Sequence, residues 1–271
     1  MKKLLVAMIV LGLVVIGVYV YFHGVGRVQV RPNEIFITAA EIPEPFNGVR
    51  IVQISDVMVR QESCLELLEN TVATVNNLAP EIILFTGNLF LSEGLVFQQR
   101  VIQILSELEV DLVKLAVLGY DDLAHEAQTT RVLTDAGFRI LNNESTQVFN
   151  LSPVGINFIG AHPLNNRATM EQLLNDHTMN DRANILLASI PTFANMAFDY
   201  PLLAQFSGHC LATQDTSHRH APCFQFYQGT YQFANRFTLH VSTGLARFQT
   251  TQNLLRPPSI DSFLLISAGS E

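Results

Sequence analysis

Charged residues are scarce in this chain of 271 residues: Asp, Glu, Lys and Arg make up 15% of it, against about 25% in an average soluble protein. Hydrophobic residues make up 48%, which excludes an intrinsically disordered chain and favours a contribution from a membrane. Positive charge is the scarcer sign, and the net charge of -8 opposes binding to nucleic-acid phosphates. We therefore expect no nucleic-acid partner.

Cysteine is also rare, and the three cysteines of the chain are too few for a disulfide scaffold or a four-thiolate zinc site. Cys210 and Cys223 could form one bridge or remain two buried thiols, and the sequence leaves both alternatives open. The chain contains no G-x-S-x-G motif and no G-x-x-x-x-G-K-[ST] loop. Serine hydrolases and phosphate-loop nucleotide hydrolases are therefore excluded.

One long apolar run stands near the start of the chain. Residues 4–22 carry no charge, and at about 1.5 Å per residue they just span a hydrocarbon core of roughly 30 Å. The run is longer than the apolar region of a cleaved signal peptide and ends in aromatic residues, so it predicts an uncleaved signal-anchor helix. A cleaved signal or a buried core helix is the alternative. Lys2 and Lys3 place residues 1–3 in the cytoplasm and the rest of the chain across the cell membrane.

Residues 23–44 form a polar connector in this interpretation, and residues 45–271 form one extracytoplasmic domain. Short apolar runs, at residues 50–55 and 81–87, flank a segment with helical spacing at 64–78, which predicts a βαβ unit. Further helices are predicted over 96–108, 124–136 and 170–177, and strands over 112–119, 146–151, 155–161, 183–189, 203–208, 223–229, 237–244 and 262–268. The predicted fold class is α/β, an α+β arrangement of four layers in which helices flank two facing mixed sheets.

Ligands bind at the carboxyl ends of strands in such sheets, so the strand ends are the first place to look for chemistry. They carry, in chain order, Asp56 and Met58, Asn88, the run Tyr120-Asp121-Asp122, Ser189, and His209 with Leu211. These blocks resemble those of the calcineurin-like metallophosphoesterases, particularly the bacterial membrane-anchored branch, over residues 48–267. The family's blocks are D-x-H, G-D, G-N-H-D, a lone histidine and G-H-x-H. The resemblance implies a sandwich that holds two divalent cations and a phosphoester.

Several positions depart from that pattern. Asp56 and His209 keep the family's first aspartate and first histidine ligands. Asn88 replaces the bridging carboxylate, and Met58 puts a thioether, a poor ligand for hard cations, in place of an imidazole. The remaining changes are Tyr120, Ser189 and Leu211 at ligand positions and Asp121 at the catalytic histidine, with Asp122 beside it. The resemblance therefore implies a kept fold and a dismantled metal site.

We accordingly expect a pseudoenzyme that binds or regulates at the membrane surface, with an unknown protein or a phosphorylated headgroup as its partner. The alternative is a metal-dependent phosphoester or phosphoanhydride hydrolase with an altered metal site. No cofactor is expected, or at most one weakly bound divalent ion (Mn, Zn or Fe) held by Asp56, His209, Asn88 and Asp121. Otherwise Asp56 caps its loop and His209 is hydrogen-bonded in a turn.

Three smaller features remain. His218, Arg219 and His220 could bind an anionic headgroup, although a solvated loop is the commoner structure for such residues. Asp121 and Asp122 are expected to be exposed to solvent on a loop. The aromatic residues that follow are expected to form the core of a hairpin: Phe224, Phe226, Tyr227, Tyr231, Phe233 and Phe237.

Overall fold

The computed structural model describes Gly12 and residues 30–210, 223, 225–233, 237–246 and 258–269. Within these residues the chain forms two six-stranded sheets. The strands are β1 (Arg31–Ala39), β2 (Arg50–Ile54), β3 (Ile82–Phe85), β4 (Val113–Ala116), β5 (Arg139–Ile140), β6 (Glu144–Val148), β7 (Ile156–Gly160), β8 (Asn184–Leu187), β9 (Ala204–Ser207), β10 (Gly229–Phe233), β11 (Phe237–Val241) and β12 (Ser259–Ser267).

The first sheet has the order β1-β12-β2-β3-β4-β5, in which β2 to β5 are parallel and β12 runs antiparallel to β2. Three helices lie along it: α1 (Glu62–Asn77), α2 (Gln98–Ser106) and α3 (Glu126–Asp135). Helix α1 buries Leu65, Leu68, Val72 and Val75, whose spacing of three and four residues places them on one face. The predicted βαβ unit is confirmed.

The second sheet has the order β10-β11-β9-β8-β7-β6, and its edge strands β6 and β10 run antiparallel to their neighbours. Its helices are α4 (Arg167–His177) and the short α5 (Ala194–Ala197). Asn166 caps α4, because its side chain accepts a hydrogen bond from the Thr169 backbone N–H and the Thr169 side chain accepts one in return.

Three apolar clusters hold the layers together. One lies between the sheets and includes Phe206 and Phe263, whose ring centroids are 4.5 Å apart. The second joins the first sheet to α1, α2 and α3, and the third joins the second sheet to α4 and α5. Because both faces of a central strand such as β3 are covered, all four of its residues are buried. The predicted arrangement of two mixed sheets flanked by helices is confirmed.

Two element predictions are wrong. Residues 31–39 belong to β1 and not to a connector: β1 is an edge strand with most side chains exposed, so its sequence lacks the apolar pattern of a buried strand. Residues 223–229 were predicted as a strand, but β10 begins only at Gly229. The apolar run 4–22, apart from Gly12, lies outside the described residues, and no helix among the described residues is long and apolar enough to cross a membrane.

Candidate functional site

Strand carboxyl ends of both sheets meet along one edge of the sandwich, called the site edge below. Asp56 follows β2, Asn88 follows β3 and His209 follows β9, and hydrogen bonds join these three residues. The site edge also carries Met58, Tyr120, Asp121, Asp122 and Ser189. The structure thus brings together residues from three separate blocks of the sequence.

The Asp56 carboxylate is the centre of this arrangement and is fully buried. Its Oδ1 accepts a hydrogen bond of 2.6 Å from Asn88 Nδ2. Its Oδ2 accepts bonds from Ser55 Oγ at 2.7 Å and from the His209 backbone N–H at 3.0 Å. Burial raises the pKa of Asp56 to about 6, although these hydrogen bonds lower it in part. Both carboxylate oxygens are therefore occupied by protein donors.

The orientation of the Asn88 amide follows from its second contact. Asn88 Oδ1 accepts a hydrogen bond of 3.0 Å from the Asp121 backbone N–H, which directs the amide nitrogen to Asp56. At the position where the resemblance implies a bridging carboxylate, this chain therefore presents an N–H donor. This N–H group donates a hydrogen bond to the Asp56 carboxylate, and an N–H donor cannot coordinate a cation.

Asp122 is buried, and the expectation of an exposed acidic pair is wrong for this residue. Its Oδ2 accepts backbone N–H bonds from Asn88 at 2.7 Å and Gly119 at 2.8 Å, and its Oδ1 accepts one from Leu89 at 2.7 Å. Burial raises the pKa of Asp122 to about 6 against the lowering effect of these bonds. Its role in the structure is to tie the loop after β3 to the loop after β4.

The backbone at the site edge is strained. Asp56, Met58, Asn88 and His209 have φ values of 51°, 47°, 60° and 66°, in the left-handed region that residues other than glycine seldom adopt. Such conformations cost on the order of 1–3 kcal/mol each and persist where surrounding contacts impose them. The sequence does not indicate this feature, because methionine does not favour the left-handed region and a single aspartate, asparagine or histidine adopts it only in some contexts.

Two glycines allow the loops to approach closely. A Cβ atom on Gly208 would lie 1.9 Å from Ser55 Oγ and 2.6 Å from Asp56 Oδ2. A Cβ atom on Gly119 would lie 2.1 Å from Asn88 Oδ1. The compact hydrogen-bonded centre therefore depends on the absence of a side chain at both positions.

The other predicted site residues lie around this centre. Met58 and Ser189 are buried, and Ser189 Oγ has no hydrogen-bond partner among the described residues. His209 is also buried, and its ring lies edge-on to the ring of Tyr120 at 6.2 Å between centroids. Tyr120 is 52% exposed. Leu211, His218, Arg219 and His220 lie outside the described residues.

The residues present do not fit a pair of cations. A dinuclear centre needs a carboxylate that reaches both ions, and Asn88 supplies an N–H in its place. Among the residues that the structure describes, no group of three or more His, Cys, Asp or Glu side chains is arranged to hold a metal. The geometry favours the alternative in which Asp56 joins loops through hydrogen bonds.

Beside His209, Cys210 and Cys223 form a disulfide with their Cα atoms 5.5 Å apart. Of the two alternatives that the sequence left open, the structure has the bridge. Beyond it, the aromatic residues pack at the β10–β11 hairpin, with Phe233 5.6 Å from Phe237 between ring centroids and Phe226 within 5.8 Å of Phe233. The expected hairpin core is confirmed for these three residues, and Phe224 lies outside the described part of the chain.

Comparison with solved structures shows the class of fold. The NAD nucleotidase NadN of Haemophilus influenzae superposes with a TM-score of 0.50 at 11% identity, over 72% of this chain and 45% of that one. A 5'-nucleotidase precursor from Thermus thermophilus gives 0.47 at 10% identity, over 72% of this chain and 49% of that one. The chain thus spans about half the length of these two structures, and its sandwich has the metallophosphoesterase-like fold.

Among curated sequences, the chain is similar to the uncharacterized metallophosphoesterase YkuE of Bacillus subtilis. The two are 28% identical over 268 residues, which cover 93% of this chain and 91% of YkuE. No protein-family model matches the chain. The sequence similarity and the fold agree with the resemblance that the strand-end blocks implied.

Proposed function

We propose that this protein is a membrane-anchored member of the metallophosphoesterase fold that has lost phosphoester hydrolysis and acts as a binding or regulatory module at the membrane surface. The observation that carries this proposal is the 2.6 Å hydrogen bond from Asn88 Nδ2 to Asp56 Oδ1. Where the family resemblance implies a metal ion, the Asp56 carboxylate accepts hydrogen bonds from protein groups instead.

The proposed loss of hydrolysis has two physical causes. The negative charge that would hold two cations at the bridging position is replaced by the neutral amide of Asn88. The leaving-group histidine is replaced by Asp121, whose backbone N–H is itself bonded to Asn88. Neither an activated water nor an imidazole proton donor is therefore available in the form that the family's chemistry needs.

The proposed location follows from the apolar run 4–22 and from the disulfide. Disulfides persist in oxidising compartments, so the Cys210–Cys223 bridge supports an extracytoplasmic domain. The proposed partner is a protein or a phosphorylated headgroup that contacts the site edge. Tyr120, exposed beside the buried His209, gives such a partner an aromatic surface to bind.

An activity assay on the full chain in detergent tests this proposal. Hydrolysis of bis(p-nitrophenyl) phosphate with added Mn²⁺ or Zn²⁺ is expected to equal that of the Asp56→Ala and His209→Ala variants. Metal-dependent turnover that disappears in both variants would overturn the proposal and support the alternative, a hydrolase with an altered metal site. Resistance of the full chain to extraction from membranes by alkaline carbonate tests the anchor separately.

A further inference from the structure

The route by which the chain enters the sandwich decides which edge is nearest to the membrane. Arg31, the first residue of β1, pairs with Ser259 of β12. In the antiparallel pairing of β12 with β2, Asp261 lies opposite Gln53, so the same register places Ser259 level with Ser55. The chain therefore enters β1 at the site edge, beside the loop that carries Asp56.

The length of chain before β1 restricts how the domain can sit. Eight residues, 23–30, separate the apolar run from β1, and at full extension they reach at most about 28 Å. Strand β1 has nine residues, and at a rise of roughly 3.3 Å per residue it separates the site edge from the opposite edge by about 30 Å. With the opposite edge against the bilayer, the start of β1 would lie about 30 Å from it and residues 23–30 would have to be fully extended. With the site edge against the bilayer, no such extension is needed.

The site edge also exposes apolar side chains. Val96, Tyr120 and Leu164 are 82%, 52% and 61% exposed and lie in the segments that follow β3, β4 and β7. Val96 belongs to a 3-10 helix over Ser92–Phe97. Exposed aromatic and aliphatic side chains are suited to the boundary between headgroups and hydrocarbon. Together with the entry point of the chain, they identify this edge as a membrane-facing surface.

We infer that the site edge of this domain faces the bilayer in which the chain is anchored and contacts it through Val96, Tyr120 and Leu164. This inference rests on the proposed membrane anchor. It restricts the partner of the site to molecules that lie in or on the same bilayer. A ligand in the surrounding solution would meet a site edge that the membrane covers.

Single-tryptophan variants test the inference directly, because the natural chain contains no tryptophan. The full-length variants Tyr120→Trp and Leu164→Trp report on the site edge. Phe36→Trp reports on the flank at β1, and Leu151→Trp reports on the opposite edge. All four side chains are exposed, so none of the replacements disturbs the core. Each variant is reconstituted in bilayers of ordinary lipid and of lipid brominated on its acyl chains, which quench only tryptophans that enter the bilayer.

We expect the fluorescence of Tyr120→Trp and Leu164→Trp to fall by about half in brominated lipid, as for tryptophans at a membrane interface. The Phe36→Trp and Leu151→Trp signals are expected to stay unchanged. Quenching of Leu151→Trp or Phe36→Trp without quenching at the site edge would overturn the inference, as would no quenching at any position in chains that resist carbonate extraction. Release of the chains by carbonate would instead refute the membrane anchor itself.

Discussion

Replacing Asn88 by aspartate would restore the carboxylate that the family resemblance implies at the bridging position, and it tests what the amide does. The change converts a donor 2.6 Å from Asp56 Oδ1 into a second carboxylate in a buried site. Aspartate tolerates a positive φ nearly as well as asparagine, so the φ of 60° at this position adds little to the effect.

The expected loss of stability in Asn88→Asp follows from the proton that Asp56 and the introduced carboxylate would share. The pKa of Asp56 is already raised to about 6, and a like charge within hydrogen-bond distance is expected to raise the pKa of the pair by about two more units. At 1.4 kcal/mol per unit and with the loss of the amide bond, the free energy of unfolding at about pH 8 should fall by about 3–5 kcal/mol. Near pH 5 the pair holds one proton, which replaces the lost donor, so the loss should shrink to about 1 kcal/mol.

Urea denaturation of the parent and of Asn88→Asp in chelator-containing buffer at the two pH values measures this difference. Asn88→Ala is the matched control, because it removes the same hydrogen bond without adding a charge. Since this bond favours the ionised form of Asp56, its loss should lower stability more at pH 8 than at pH 5, and at pH 8 by less than Asn88→Asp does. An Asn88→Asp variant as stable as the parent at pH 8 would refute the argument that the amide satisfies Asp56.

Three further predictions concern the same domain. The pKa values of the buried carboxyls of Asp56 and Asp122 are raised to about 6 in the folded protein. The stability that these protonated carboxyls contribute is complete below their unfolded pKa and is lost as the pH rises through 6. The free energy of unfolding, measured by thermal or urea unfolding, should therefore fall by about 2–3 kcal/mol between pH 5 and pH 7.5. Gly208→Ala should lower it by about 2–4 kcal/mol through the clash at Ser55, whereas Gly269→Ala, with no atom within 4 Å of the added Cβ, should be neutral in the same assay. His240→Ala should cost about 3–5 kcal/mol, because it leaves Asp261 buried without the imidazole that lies 3.2 Å away, and His240→Ala/Asp261→Ala should recover part of that loss in a double-mutant cycle.

The sequence was sufficient to predict the central strands and the helices, but it did not predict the edge strands of the sheets. Strand β3 is buried on both faces and therefore appears as an unbroken apolar run. Strand β1 is largely exposed, and its partner β12 lies more than two hundred residues away in the chain, so no local pattern marks it. Edge strands of this kind are recognised from pairing and not from hydrophobic periodicity.

The candidate site was predictable in position but not in its internal bonding. The strand-end rule located Asp56, Asn88 and His209, and the structure joins them. The burial of Asp122 could not be deduced, because an adjacent acidic pair normally indicates a solvated loop. The backbone donors to its carboxylate come from loops after two different strands, and only the folded sheet brings those loops together.

The proposed loss of the dinuclear metal centre at the site edge predicts that the purified protein holds little metal, which can be measured. The full chain is the appropriate sample, since a truncation after residue 39 would remove β1 from the first sheet. After incubation with Mn²⁺, Zn²⁺ and Fe²⁺ and removal of free metal, elemental mass spectrometry should find fewer than about 0.2 ions per chain, as expected for a site without a bridging carboxylate. One or two tightly held ions per chain would show that the site edge still binds metal and would refute the proposed loss of the metal centre.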